Sequence, residues 1–213
     1  MSVTDPVETP DTISKFIHTS GIMLVAFSIV VVIARFVQFF LFKDPSMEQL
    51  VQREAFIPLL GIPSVLSAIF FLVGLTGIYL KHIDRIGIFG NLIFITAFIG
   101  IQLSAGAIWS YAFATPAIAP IAPDLLTNPS SGIVRATLIS FLLGQLGWLM
   151  VGTWTFWVGL LPRWSSLTLI LSIAAGIVIA PFADTQILRF LFNVLLGIGP
   201  GVIGMVMWRG QKK

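Results

Sequence analysis

From Ala55 to Leu80 the chain runs twenty-six residues without a charged side chain. Five other charge-free stretches are long enough, or nearly so, to cross a bilayer, and nothing else in the sequence narrows the fold as much. An α-helix needs about 20 apolar residues to cross the hydrocarbon core of a bilayer. No water reaches the backbone there, so every N–H and C=O must be satisfied within a helix or a closed barrel. A barrel would show alternating segments of about 10 residues, whereas these runs are continuous. The expected fold is therefore all-α: a polytopic integral membrane protein with six transmembrane helices in one bundle. The helices are expected at about 16–42, 55–80, 86–112, 134–161, 165–182 and 188–208. They lie between a disordered cytoplasmic tail (1–15) and a basic tail (209–213).

Composition agrees. Only 10% of residues are charged, against about 25% in soluble domains, and the mean hydropathy is +1.00. The net charge of +3 comes from basic residues flanking the spans, so the high isoelectric point does not point to nucleic acid. There is no cysteine, which removes disulfides, thiolate metal sites and thiol nucleophiles together. The first residues are acidic until Lys15, unlike the basic start of a secretory signal, so the first span is expected to be retained.

Lysines and arginines set the orientation. With the N-terminus inside, Lys15, Lys81, Arg85, Arg163, Arg209, Lys212 and Lys213 are cytoplasmic. Lys43, Arg53, Arg135 and Arg189 lie outside, joined by Arg35 if it reaches the interface. The balance favours a cell-membrane protein with both termini cytoplasmic.

Several positions interrupt the apolar pattern. Pro63 is expected to kink the second span or mark its true start. Met47, Leu50 and Val51 suggest a short interfacial helix between spans one and two. Four prolines from Pro116 to Pro129 rule out one continuous helix through the connection between spans three and four. In the last span, Gly197, Gly199, Pro200 and Gly201 form the expected helix break, and Gly197 and Gly201 also make a GxxxG pair. Residues 74–100 and 152–176 share a layout of span end, arginine-bearing turn and new span, which would fit a duplication.

Chemistry has few places to sit. The two histidines, His18 and His82, fall at the inner ends of spans, and no His/Asp/Glu cluster shows metal-ligand spacing. No acid lies inside a span. The span hydroxyls (Ser28, Ser67, Ser104, Ser140, Thr153) have no histidine or lysine placed to activate them, and fit hydrogen bonding between helices better. The polar candidates are Arg35, Gln38, Asn91, Gln102, Gln145 and Asn193. They either line one polar pocket or act separately, Arg35 as an interfacial arginine and the amides as glue between helices. Trp148, Trp154 and Trp157 either pack, face lipid, or stack around an apolar ligand such as a quinone, carotenoid or porphyrin; Trp109, Trp164 and Trp208 fall at span ends, as interfacial aromatics do.

The run Gly147–Trp148, Gly152 and Gly159 to Trp164, with the glycine-rich Gly197 to Arg209 and the turn Gly77 to Gly87, resembles small bacterial multi-span proteins of the DUF4386-like type. The resemblance implies about six helices and carries over no catalytic residue. The likeness to tryptophan-rich sensory (translocator) proteins is weaker, since those have five spans and a different tryptophan pattern. The expected function is non-enzymatic: an accessory subunit or apolar-ligand binder in the lipid bilayer, with a membrane-protein partner or apolar ligand and no nucleic acid. The alternative is a small-solute transporter or channel with a polar path near Arg35. No cofactor is specified by the residues.

Overall fold

A computed structural model of the protein describes residues 11–41, 57–122, 124, 130–179 and 186–209. Among these residues the secondary structure is helical apart from a few short turns. Helix α1 spans Asp11–Leu41, and a π-helical turn, Ile57–Gly61, leads into α2, Ile62–Trp109. A second π-helical turn, Ser110–Ala114, leads into the short α3, Thr115–Ile118. Helices α4 (Ser131–Val158), α5 (Arg163–Ile179) and α6 (Gln186–Arg209) follow among the described residues. Thr12–Val37, Ile57–Ile118, Gly132–Val158 and Phe190–Arg209 are long and apolar enough to cross a membrane, and α5 is a shorter apolar helix. The expected interfacial helix near Met47 and the tail 210–213 lie outside the described residues, as does most of the expected 1–15 tail.

Helix α2 is too long to be one rod. Forty-eight residues would extend about 70 Å. Gly87 breaks it, at φ 63° and ψ −178°, a conformation that a Cβ would disfavour. The arms, residues 62–86 and 88–109, then fold back on each other. Tyr79 Oη donates to Asn91 Oδ1 at 3.1 Å, and the Tyr79 ring meets Phe94 edge-on at 5.4 Å. In a straight helix residues 79 and 91 would be about 18 Å apart.

Local chemistry sets the other boundaries. The α-helical ladder of α2 starts at Ile62 with Pro63 in its first turn, where a missing N–H costs nothing. Pro63 therefore lies in the first turn of that α-helical ladder, directly after the π-helical turn. Helix α1 begins at Asp11, inside the expected disordered tail, because Ile13 packs on the core and Ile17 is buried in it. Helix α4 begins at Ser131, earlier than expected, because the Ser130 hydroxyl accepts the Ile133 N–H. It stops at Val158, where Gly159 adopts φ 70° and ψ 29° as a left-handed cap. Gly87 and Gly159 are the two described glycines with positive φ, each turning one helix into the next. Gly87 comes thirteen residues after Gly74 and Gly159 seven after Gly152, so the suggested duplication has no shared register at its turns.

The helices form a ring: α1 packs on α6 and α2, α2 on α4, α4 on α5, and α5 on α6. Glycines set the seams. A Cβ on Gly204 would lie 2.6 Å from the Gly21 carbonyl of α1, and one on Gly147 would lie 2.5 Å from Ala97 Cα of α2. Gly74 and Gly77 face Leu24 and Ser20 of α1, and Gly199 faces Ser172 and Leu169 of α5. Lipid tails compete equally for apolar side chains, so close backbone approach is what holds such helices together. The centre is filled by Leu24, Leu75, Phe94, Trp148, Val151, Leu169 and Ile203, each at most 1% exposed. Phe27, Phe71 and Trp148 stack in series across α1, α2 and α4, with ring centroids 4.3 and 4.2 Å apart.

Candidate functional site

Most hydroxyls in the bundle are satisfied by their own helices. Thr76, Thr96, Ser140, Thr153 and Thr168 each donate to the carbonyl four residues back. Two also join neighbouring helices. Ser28 Oγ is 2.6 Å from the Gly197 carbonyl, and Ser104 Oγ is 3.0 Å from the Ser140 carbonyl. Thr155 and Ser166 pair at 3.1 Å between α4 and α5, buried. These are the inter-helix hydrogen bonds expected of hydroxyls in a dry interior.

The candidate polar residues sit at different levels. Asn91 is held by Tyr79 near the Gly87 turn. Arg35, near the other end of α1, is half-buried and close enough to Tyr111 for the two to interact electrostatically. Residues 91 and 111 of the same helical path are roughly 30 Å apart, so Asn91 and Arg35 belong to opposite ends of the bundle. Gln102 faces outward and is exposed. Gln145, one turn before Trp148, buries its Oε1 without a hydrogen-bond partner. Asn193 lies half-buried one turn before Gly197. The side chain of Gln38 lies outside the described residues.

The two tyrosines of the chain therefore each accompany one polar candidate. Spacing along one helix does not reveal which residue of another segment a tyrosine meets, so neither pairing is evident from the sequence. Around Arg35 the two π-helical turns also touch. A Cβ on Gly61 would lie 3.1 Å from the Cβ of Ala112. Wide π turns often mark functional places in helices, and their sequence signal here was limited to the nearby prolines.

Helix α6 runs unbroken through Gly197, Gly199, Pro200 and Gly201, with Pro200 inside it. The expected break is absent from this conformation. The glycines instead form a two-sided seam, Gly197 and Gly201 against Ser28 of α1 and Gly199 against α5. The tryptophans divide as well. Trp148 is 1% exposed, and Trp154 is half-buried against Gly90. Both indole N–H groups lack partners. Trp157, Trp164 and Trp208 are exposed near one end of the bundle and Trp109 near the other, as interfacial aromatics would be.

His82 belongs to the charged turn Lys81 to Arg85, beyond the apolar part of the arm. Burial, reinforced by Lys81 and Arg85, lowers its pKa to about 4. A histidine lowered in the folded state binds its proton more readily when unfolded, so stability is full above about pH 6.5 and declines as pH falls toward 4. Unfolding midpoints between pH 7.5 and 4.5 are expected to fall in the native chain and to fall less in His82→Asn. Equal slopes would assign the acid sensitivity to another group.

Among the described residues no group of three or more His, Asp or Glu side chains could hold a metal ion. Compared with family models, curated proteins and solved structures, the chain matches none.

Proposed function

We propose that the chain crosses the membrane six times, with both ends cytoplasmic, and acts by assembly rather than catalysis, as an accessory subunit of a membrane complex. The six-span reading draws on the reversal at Gly87, which turns the long α2 run into two crossings, and on α5, whose 17 residues extend about 26 Å. The observation that carries the assembly role is the sealed centre. Leu24, Phe94, Trp148 and Ile203 fill it, and Asn91 and Arg35 stand at opposite ends instead of lining one path. What remains available for specific contact is the outer surface. The DUF4386-like resemblance adds a matching layout and no activity.

The test is purification from the native membrane in mild detergent, followed by absorption spectroscopy and mass analysis of the isolated particle. A stable partner at fixed stoichiometry supports the accessory role. A bound pigment or quinone would replace it with the ligand-binding reading, and Trp154→Phe would be the first variant. A lone, colourless protein would sink both.

A second reading has one observation of its own: Arg35 and Tyr111 beside the two touching π-helical turns. Such an end could receive a small anionic or neutral solute. In liposomes, Arg35→Ala is then expected to lower solute flux at least tenfold. Flux indistinguishable from empty liposomes in the native protein removes the transport reading.

A further inference from the structure

We infer that the outward face of the second arm of α2 is a homodimer seam, on which two copies of this chain pair through Gln102. Ile88, Leu92, Ile95, Ile99, Gln102, Gly106 and Trp109 recur at alternating steps of three and four, and all are exposed. That spacing keeps one seam turned toward a partner helix over three heptads. Any lipid-facing helix shows such a stripe; the amide within it is what distinguishes this one.

Gln102 is exposed and has no hydrogen-bond partner among the described residues. It lies seven residues before Trp109, or about 10 Å along the helix from that interfacial aromatic. A short amide does not reach the interface from there as long lysine or arginine stems do. Its donors and acceptor would therefore stand unmet in hydrocarbon. The other outward polar groups on these faces avoid this. Thr96 and Thr153 bond their own helices.

The chemistry selects the occupant. A carboxamide both donates and accepts, so the same face on a second copy, related by a two-fold axis, satisfies both groups reciprocally. Gly106, one turn further along the stripe, has open space where a Cβ would be, so two arms can approach closely beside the amide pair. A buried amide at one seam position also fixes register between paired helices.

The inference goes beyond the accessory role and requires only that the second arm cross the bilayer. The test uses the full chain in liposomes, where the absence of native cysteine gives a clean background. Ile99→Cys is expected to form a disulfide-linked dimer on oxidation, and Ile33→Cys, exposed on α1, is not. In dilution series read by single-molecule photobleaching, Gln102→Leu should raise the dimer dissociation constant about three- to twentyfold, with Gln102→Asn closer to native. Because Gln102 has no hydrogen bond among the described residues for the variant to remove, unfolding midpoints should be unchanged. Equal cross-linking at positions 33 and 99, a monomer at every dilution, or an unchanged constant in Gln102→Leu would overturn the inference. So would rapid labelling of Ile99→Cys by a water-soluble maleimide, which would place the arm outside the bilayer.

Discussion

Gly100→Leu is expected to destabilise the bundle by about 3 kcal/mol, at the upper end of overpacking effects, with loss of the contact between α4 and the second arm of α2. A Cβ at position 100 would lie 2.6 Å from Gly144 N and from the Leu143 carbonyl carbon and oxygen. All three are backbone atoms, so no side-chain rotation can make room. The helices must separate, and the separation spreads along the seam. Ser104 would lose its reach to the Ser140 carbonyl, and Ala97 its fit against Gly147. Gly132→Ala is the control, because only Ser130 Oγ, at 3.9 Å, stands near its Cβ position. It should remain within about 1 kcal/mol of the native protein, since alanine suits a helix better than glycine. Reversible unfolding in mixed micelles measures both. If Gly100→Leu unfolds like the control, the seam is not set by backbone contact.

The second large effect is expected at Trp148. Its ring is 1% exposed and stacks on Phe71, which stacks on Phe27. Trp148→Ala removes the α4 member of this column and leaves a cavity among α1, α2 and α4. Large-to-alanine changes in water-soluble cores cost about 3–5 kcal/mol. In a bilayer the transfer part shrinks, because a separated helix still has lipid around its side chain, while the lost dispersion contacts remain. The expectation is therefore about 3 kcal/mol, with Trp148→Phe costing less than half as much. A double-mutant cycle between Trp148→Ala and Phe71→Leu should show coupling of about 1 kcal/mol. Zero coupling would mean the rings are neighbours without mutual stabilisation.

Much of the helical layout was legible in the sequence for one physical reason. In hydrocarbon, charge-free length and helix formation are the same requirement, so the apolar runs declared the helices without knowledge of what they pack against. The turns were legible where they carried charge, at Lys81 to Arg85, or the Leu161–Pro162–Arg163 break. The seams were harder to read. Gly197, Gly199 and Gly201 look the same in sequence whether they loosen a helix or admit a neighbour, and only the positions of Ser28 and Ser172 show that they admit neighbours here. The polar residues were least legible. Arg35, Asn91 and Gln145 share one property in the sequence, that each interrupts an apolar run. Their heights and facing directions depend on where Gly87 reverses the chain, and the sequence does not disclose that a 48-residue helical path returns on itself.

The hydrogen bond from Ser28 to the Gly197 carbonyl joins residues 169 positions apart. At about 5–20 residues per second, a ribosome needs roughly 10–30 s to carry synthesis from one to the other. Throughout that interval the face of α1 carrying Gly21 and Ser28 has been made while α6 does not yet exist. The nascent chain thus spends that interval with this groove open, and whatever covers it must leave when α6 arrives.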